Sequence, residues 1–156
     1  MGGAAVFHGE SVHTLDTKFR LVVPKRISDH LGRGDEGQQI CVLTRGQDRC
    51  IYLFSKEGFE RAMSSLRLAA FDGEEPRAVR RVFLASTFEL ELDGSGRVLV
   101  PEKLRPQLGD ERELAVIGNH DHAEIWGKQA WDQYQARNEG LLDRIDRILG
   151  GQGGAT

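Results

Sequence analysis

The sequence predicts a β-rich α+β fold made of two tandem β-turn-β-helix-β-β units packed face to face within one chain. Three observations carry this: an ungapped internal repeat, one turn motif present in each copy, and apolar–polar alternation leading into both turns.

The repeat aligns residues 15–32 with 92–109. Identities fall at Leu15/Leu92, Asp16/Asp93, Arg20/Arg97, Val23/Val100, Pro24/Pro101, Leu31/Leu108 and Gly32/Gly109. Unrelated stretches of that length share about one identity at ordinary residue frequencies. After a small gap Ile40–Leu43 aligns with Leu114–Ile117. Leu53–Lys56 then aligns with Ile125–Lys128, and Phe59 with Trp131.

Glu10–Leu15 and Phe88–Leu92 alternate as half-buried strands do. Asp16–Phe19 and Asp93–Gly96 are turns, where an Asp can cap its own backbone and Gly supplies positive φ. Leu21–Val23 and Val98–Val100 are short, mostly β-branched strands. Pro24 and Pro101 fit the first turn of a short helix, and Gly32 and Gly109 its left-handed end. Strands follow at Ile40–Thr44 and Cys50–Phe54, and at Leu114–Gly118 and Ala123–Trp126. The units therefore span 7–54 and 87–127, joined by a helical connection at 55–86. In that connection Ser55–Ala70 turns Phe59, Ala62, Met63, Leu66 and Ala70 to one face. Asp72–Glu75 is the linker, and Pro76 opens a helix to Ser86 with Val79, Val82 and Phe83 inward. A C-terminal helix covers 128–149, where Trp131, Tyr134, Asn138, Leu141, Ile145 and Ile148 form an a/d seam weakened by Gly140. It packs on its own domain or meets another subunit. Residues 1–6 are an extension, and 150–156 read as a disordered tail.

The composition is that of a globular protein, with 39% hydrophobic and 29% charged residues. No apolar run approaches the roughly 20 residues of a membrane span, and no signal-peptide pattern occurs, so a cytoplasmic protein is expected. Cys41 and Cys50 are expected as reduced thiols within the sheet. No nucleophile motif is present. His120 and His122 lack a third ligand at an informative spacing. No enzyme, metal, cofactor or small-molecule substrate is therefore expected. Net charge is −3, yet bases predominate from Glu10 to Arg33 and acids after Asp110, an arrangement that suits either one face built for an anion or an ordinary solvated surface.

The repeated Asp-x-x-x-Arg motif is the candidate site. A short loop aims each arginine, and the aspartate can hold it extended, so its planar guanidinium can meet a phosphate or the O6/N7 edge of guanine. Basic residues nearby would anchor phosphates. The candidates are Asp16, Lys18, Arg20, Lys25, Arg26, Asp93, Arg97, Lys103 and Arg105.

At these residues the sequence resembles the MraZ family, whose two AbrB-like (SpoVT-like) units carry the Asp-x-x-x-Arg signature. The likeness runs through residues 7–10, 15–24, 45–50, 92–101 and 124–126 to Trp131. It implies a double-split β-barrel, in which the two units form an intrachain pseudo-dimer, and ring-like homo-oligomers. It also implies transcription regulation of the division and cell-wall operon, with nucleoid-associated binding to direct repeats of double-stranded DNA upstream of the protein's own gene. Arg105 matches a basic helix position common in such units, where copy one has Ser28. Phe19 stands where the family has Gly, either straining or altering its turn; an exposed Phe19 could alternatively touch a thymine methyl. Family members open Met-Phe, so a native start at Val6, read as Met, is expected. Two other readings stay open. One is an oligomeric scaffold without specific DNA readout, and the other an AbrB-like antitoxin.

Overall fold

Each copy gives its first strand to the other. A computed structural model describes residues 7–69 and 73–150, excluding the side chains of 66–69 and 148. The expectations for 1–6, 151–156, the start at Val6, Asp72, and the inward positions of Leu66, Ala70 and Ile148 fall outside it. Copy one comprises β1 (Glu10–Thr14), β2 (Arg20–Val22), α1 (Lys25–Ser28), β3 (Ile40–Arg45) and β4 (Ile51–Phe54). Copy two comprises β5 (Phe88–Glu91), β6 (Arg97–Leu99), a 3₁₀ segment at Glu102–Leu108, β7 (Glu113–Asn119) and β8 (His122–Gly127).

Six strands form an antiparallel sheet in the order β1-β7-β8-β4-β3-β5, and β2 pairs with β6 in a separate ribbon. Exchanging the copies reverses the list without changing it, which is a two-fold relation. Its axis passes through β4–β8, where Ile51 faces Ile125 and Leu53 faces Ala123. It also passes through the ribbon, where Leu21 faces Val98.

One core serves both copies. Leu21, Ile27 and Leu53 from the first meet Val98, Leu104 and Ile125 from the second, all essentially inaccessible to water. A unit of about 60 residues or fewer is marginal alone, and the exchange of β1 and β5 makes each unit complete only with its fellow. Phe7 is buried, bonded to His120 in both directions (2.7 and 2.9 Å). Gly118 admits this segment, because a Cβ there would collide with the backbone of Phe7 and His8.

The register corrects one alignment. Val42 pairs with Phe54 as Ala115 pairs with Trp126, and Leu43 with Leu53 as Val116 with Ile125. Cys41, not Ile40, is therefore the counterpart of Leu114. Slipping a strand by one residue exchanges its faces, and the observed phase puts Cys41, Leu43, Leu114 and Val116 in the shared core. Cys41 lies in β3, but Cys50 lies just before β4, donating to the Gln47 carbonyl at 3.1 Å. Both are free, and burial pushes the Cys41 thiol up to about 12 and raises that of Cys50 as well.

The short helices also differ from expectation. Pro24 and Pro101 precede their helical segments as caps with extended ψ near 143°. Gly109 takes φ +64° at the end of its segment, whereas Gly32 has no positive φ.

Two helical groups cover the outer face of the sheet. α2 (Lys56–Ala69) and α3 (Glu74–Ala85) close one end through Phe54, Phe59 and Phe83, with centroids 5.8 and 6.1 Å apart. Glu74 and Glu75, expected in the linker, are helical, and Pro76 stands third in α3, where its missing N–H still costs little. Val79 and Val82, expected inward, are 56% and 55% exposed. Phe83 alone of that trio reaches the sheet, because α3 lies on Phe59 rather than over the core. α4 (Lys128–Asn138) closes the other end, with Trp131 and Tyr134 on Trp126 at 5.3 and 4.9 Å. The expected continuous C-terminal helix is broken. A 3₁₀ stretch, Glu139–Arg144, contains Gly140 and precedes α5 (Ile145–Gly150), as the high backbone freedom of glycine favours. The seam thus packs at home through Trp131 and Tyr134 and leaves Leu141, Leu142, Ile145 and Leu149 exposed.

Between these covers His122 packs on Tyr52 at 4.4 Å, its nitrogens meeting Asp121 (2.8 Å) and Glu124 (3.0 Å). Burial pulls the pKa of His122 down, but bonds to the two carboxylates outweigh it and leave it raised. Burial pushes Glu124 up, and bonds from His122, Asn119 and Trp126 prevail to lower it. A raised histidine contributes stability below its unfolded value near 6.5, lost as pH rises through the folded pKa. The lowered Glu124 contributes above about 4.3 and loses that as pH falls through its folded value. The pair should therefore stabilise most between about pH 5 and 6. Burial and Arg26 push His13 down, so His13 acts in the opposite sense. The readout is therefore the difference in melting temperature between wild type and His122→Gln, expected to shrink from pH 6 to pH 8.

Candidate nucleic-acid interface

The two turns are held by the same three hydrogen bonds. Asp16 Oδ1 accepts the backbone N–H groups of Lys18 and Arg20, both at 2.8 Å, and Oδ2 accepts Arg20 Nε at 2.8 Å. Asp93 Oδ1 accepts those of Ser95 (2.9 Å) and Arg97 (3.0 Å), and Oδ2 accepts Arg97 Nε at 2.9 Å. In both, the backbone N–H of the arginine is the largest influence holding the aspartate below its usual pKa. Such exposed pairs, screened by water, add little to stability. Their value is directional, because anchoring Nε points the terminal amino groups of each guanidinium away from the turn. Those amino groups make no hydrogen bond among the described residues.

The ribbon brings the turns together. Arg20 lies opposite Leu99 and Val22 opposite Arg97. Leu21 and Val98 point into the core, so Arg20, Val22, Arg97 and Leu99 share the outer face. Arg97 Nη1 lies 3.9 Å from Asp16, linking one turn to the other. Each turn also extends the ribbon, Phe19 accepting from Val100 N (2.8 Å) and Gly96 from Val23 N (2.9 Å).

Phe19 adopts φ +61°, close to the +76° of Gly96, so the turn is strained and not altered. Rather than standing exposed, its half-buried ring lies against Arg105 at 3.9 Å and Arg112 at 5.2 Å. Cation–π contacts of this kind contribute about 0.5–1 kcal/mol each at such sites, enough to offset the roughly 1 kcal/mol strain. Arg112 also donates to the Asp16 carbonyl at 3.0 Å. Phe19→Ala keeps the strain and loses the ring, whereas Phe19→Gly loses both. Glycine should be the better tolerated of the two by about 1 kcal/mol in urea denaturation, reversing the usual helix or strand order.

The other candidates separate. Lys18 is exposed at the tip of the first turn, and Lys25 is exposed at the start of α1. Lys103 bonds the Ala85 carbonyl at 2.7 Å. Arg105, besides stacking on Phe19, bonds the Val100 carbonyl at 3.0 Å. Arg26 is turned away from the ribbon, donating to His8 O (3.0 Å), Ser11 Oγ (2.7 Å) and Val116 O (2.8 Å). Sequence reasoning missed Arg112, which had no repeat partner to mark it. It also missed Val22 and Leu99, which the alternation about Leu21 and Val98 could have placed outward.

Comparison with known proteins agrees with the repeat. The family model described as "MraZ protein, putative antitoxin-like" matches residues 6–82 and again 83–148. A protein named transcriptional regulator MraZ from Arthrobacter sp. (strain FB24) is 39% identical over 146 residues, covering 94% of this chain and 99% of that one. A protein of the same name from Paenarthrobacter aurescens (strain TC1) is 40% identical, over 90% and 94% of the two chains. Another, from Acetivibrio thermocellus, is 33% identical over 83% and 86%. With two copies matched in order over nearly its whole length, the chain belongs to the MraZ family.

Proposed function

We propose that this chain is a sequence-specific DNA-binding transcription regulator that reads the major groove of double-stranded DNA with its β2–β6 ribbon. The observation that carries this is the pair of aspartate-anchored arginines on the outer face of that ribbon. A two-stranded ribbon fits the major groove, and paired amino groups match the O6/N7 edge of guanine. The relatives' name, transcriptional regulator, supports the same reading. Lys18 and Lys25, flanking the first turn, supply phosphate contacts. In this reading the fold is a double-split β-barrel, and the protein is cytoplasmic and nucleoid-associated.

A net charge of −3 limits what one chain can neutralise. Oligomers bound to several direct repeats overcome this, since linked sites raise avidity by about a hundredfold or more. Exposed apolar surface supports assembly. A groove of about 490 Å³ runs between Tyr52 and Val79, Val82 and Phe83, and the end of the chain displays Leu142 and Leu149.

The test is fluorescence anisotropy with duplex from upstream of the gene and a scrambled duplex, at two salt concentrations, with light scattering to measure assembly. Preference for the upstream sequence, steep salt dependence and weak binding to a single repeat are expected. Equal binding to both duplexes would instead favour the scaffold reading.

A further inference from the structure

We infer that Val22 and Leu99 are specificity residues that contact thymine methyl groups, so that each ribbon arginine reads a guanine with a thymine close by. The inference rests on the DNA-binding reading above. Both side chains are large and aliphatic, and they stand 44% and 50% exposed on the outer face of the ribbon. They are the only members of that face besides the two arginines, and the two-fold relation repeats the arrangement. Arg20 has Leu99 opposite and Val22 two residues on. Arg97 has Val22 opposite and Leu99 two residues on.

Two apolar side chains between two cations suit a surface that is both anionic and locally apolar. In the major groove thymine alone among the bases presents a methyl group, at C5, alongside edges such as the O6/N7 acceptors of guanine. The spacing agrees. Residues two apart on a strand lie about 6.8 Å apart, or two base-pair steps of about 3.4 Å. Cross-strand neighbours lie about 5 Å apart. An arginine on guanine therefore places an aliphatic side chain within about two base pairs, at methyl depth.

The experiment replaces every thymine of the upstream duplex by deoxyuridine, deleting the methyls while preserving the paired edges. Wild type and the double variant Val22→Ala/Leu99→Ala are each titrated by anisotropy with both duplexes. Wild type should lose about fourfold in affinity for each methyl contact removed. The double variant should bind the thymine duplex more weakly and be insensitive to the change within twofold. Equal loss in both proteins overturns the inference, since the methyls then act through DNA shape. No loss for wild type overturns it as well, and this arm requires no altered protein. Altered assembly of the double variant in light scattering overturns it in favour of a subunit contact. Should wild type not prefer the upstream duplex to scrambled DNA, the DNA-binding reading itself fails, an outcome distinct from all of these.

Discussion

Replacing Arg97 by alanine is expected to weaken binding to the upstream duplex by about 5- to 150-fold, the range of one bidentate arginine–guanine contact. Binding to scrambled DNA should change far less. The loss has two parts. The guanidinium amino groups that face outward disappear, and Asp93, whose Oδ2 now accepts from Arg97 Nε, is left as a bare carboxylate facing DNA. Fold and assembly should survive. Asp93 Oδ1 still caps the backbone N–H groups of residues 95 and 97, and the exposed pair contributes little stability. Arg97→Lys should not rescue, because an ammonium cannot present two parallel donors. Arg20→Ala should act similarly. Because Arg97 also lies 3.9 Å from Asp16, the two substitutions should be non-additive in a double-mutant cycle. Unchanged preference for the upstream duplex in both variants would make the turns structural alone.

Arg26→Ala should act on the fold instead. Three nitrogens of this side chain each hold a different acceptor, on His8, Ser11 and Val116, tying the entering segment and β1 to β7. Hydrogen bonds to charged groups contribute about 1.5–3 kcal/mol each when buried. These are only part-buried and water can replace some, so the expected loss is about 2–3 kcal/mol in all. That is a large share of the roughly 5–15 kcal/mol that holds a domain together. Urea denaturation should show it, while affinity for DNA per folded molecule stays within about twofold. Arg26→Lys should recover little, since one ammonium cannot span three acceptors. A variant of normal stability that loses DNA binding would return Arg26 to the interface.

These two arginines mark where the sequence was legible. The Asp-x-x-x-Arg turn closes within five residues, so spacing alone announced that the aspartate would cap the backbone and hold the arginine; that it does so through Nε came from the structure. Which strand β1 joins is set by pairing about a hundred residues away, between Glu10 and Ile117. Nothing local announces such an exchange, and Arg26 is a clamp only because of it. The phase of β3 against β7 was obscured by the gap in the repeat, where one residue decides which side chains enter the core. In α3 the helical period was readable, but its bearing depended on Phe59, in another helix. Arg105 was visible as a basic residue in copy two, yet its partner, Phe19, lies in copy one.

That last pair bears on the symmetry of the proposed DNA site. Two identical chains joined as a dimer must carry every substitution twice, and a symmetric reader calls for a palindrome. Here both halves share one chain, so Arg105 and Arg112 can clasp Phe19 in one turn, while a Cβ at its counterpart Gly96 would meet nothing within 4 Å. Arg20 and Arg97 are thus offered by turns with different surroundings, and the two-fold relation of the ribbon is inexact at its ends. In the proposed reading, a DNA site for this ribbon is therefore not held to inverted symmetry. The direct repeats of that reading, each a directional word, suit such a reader.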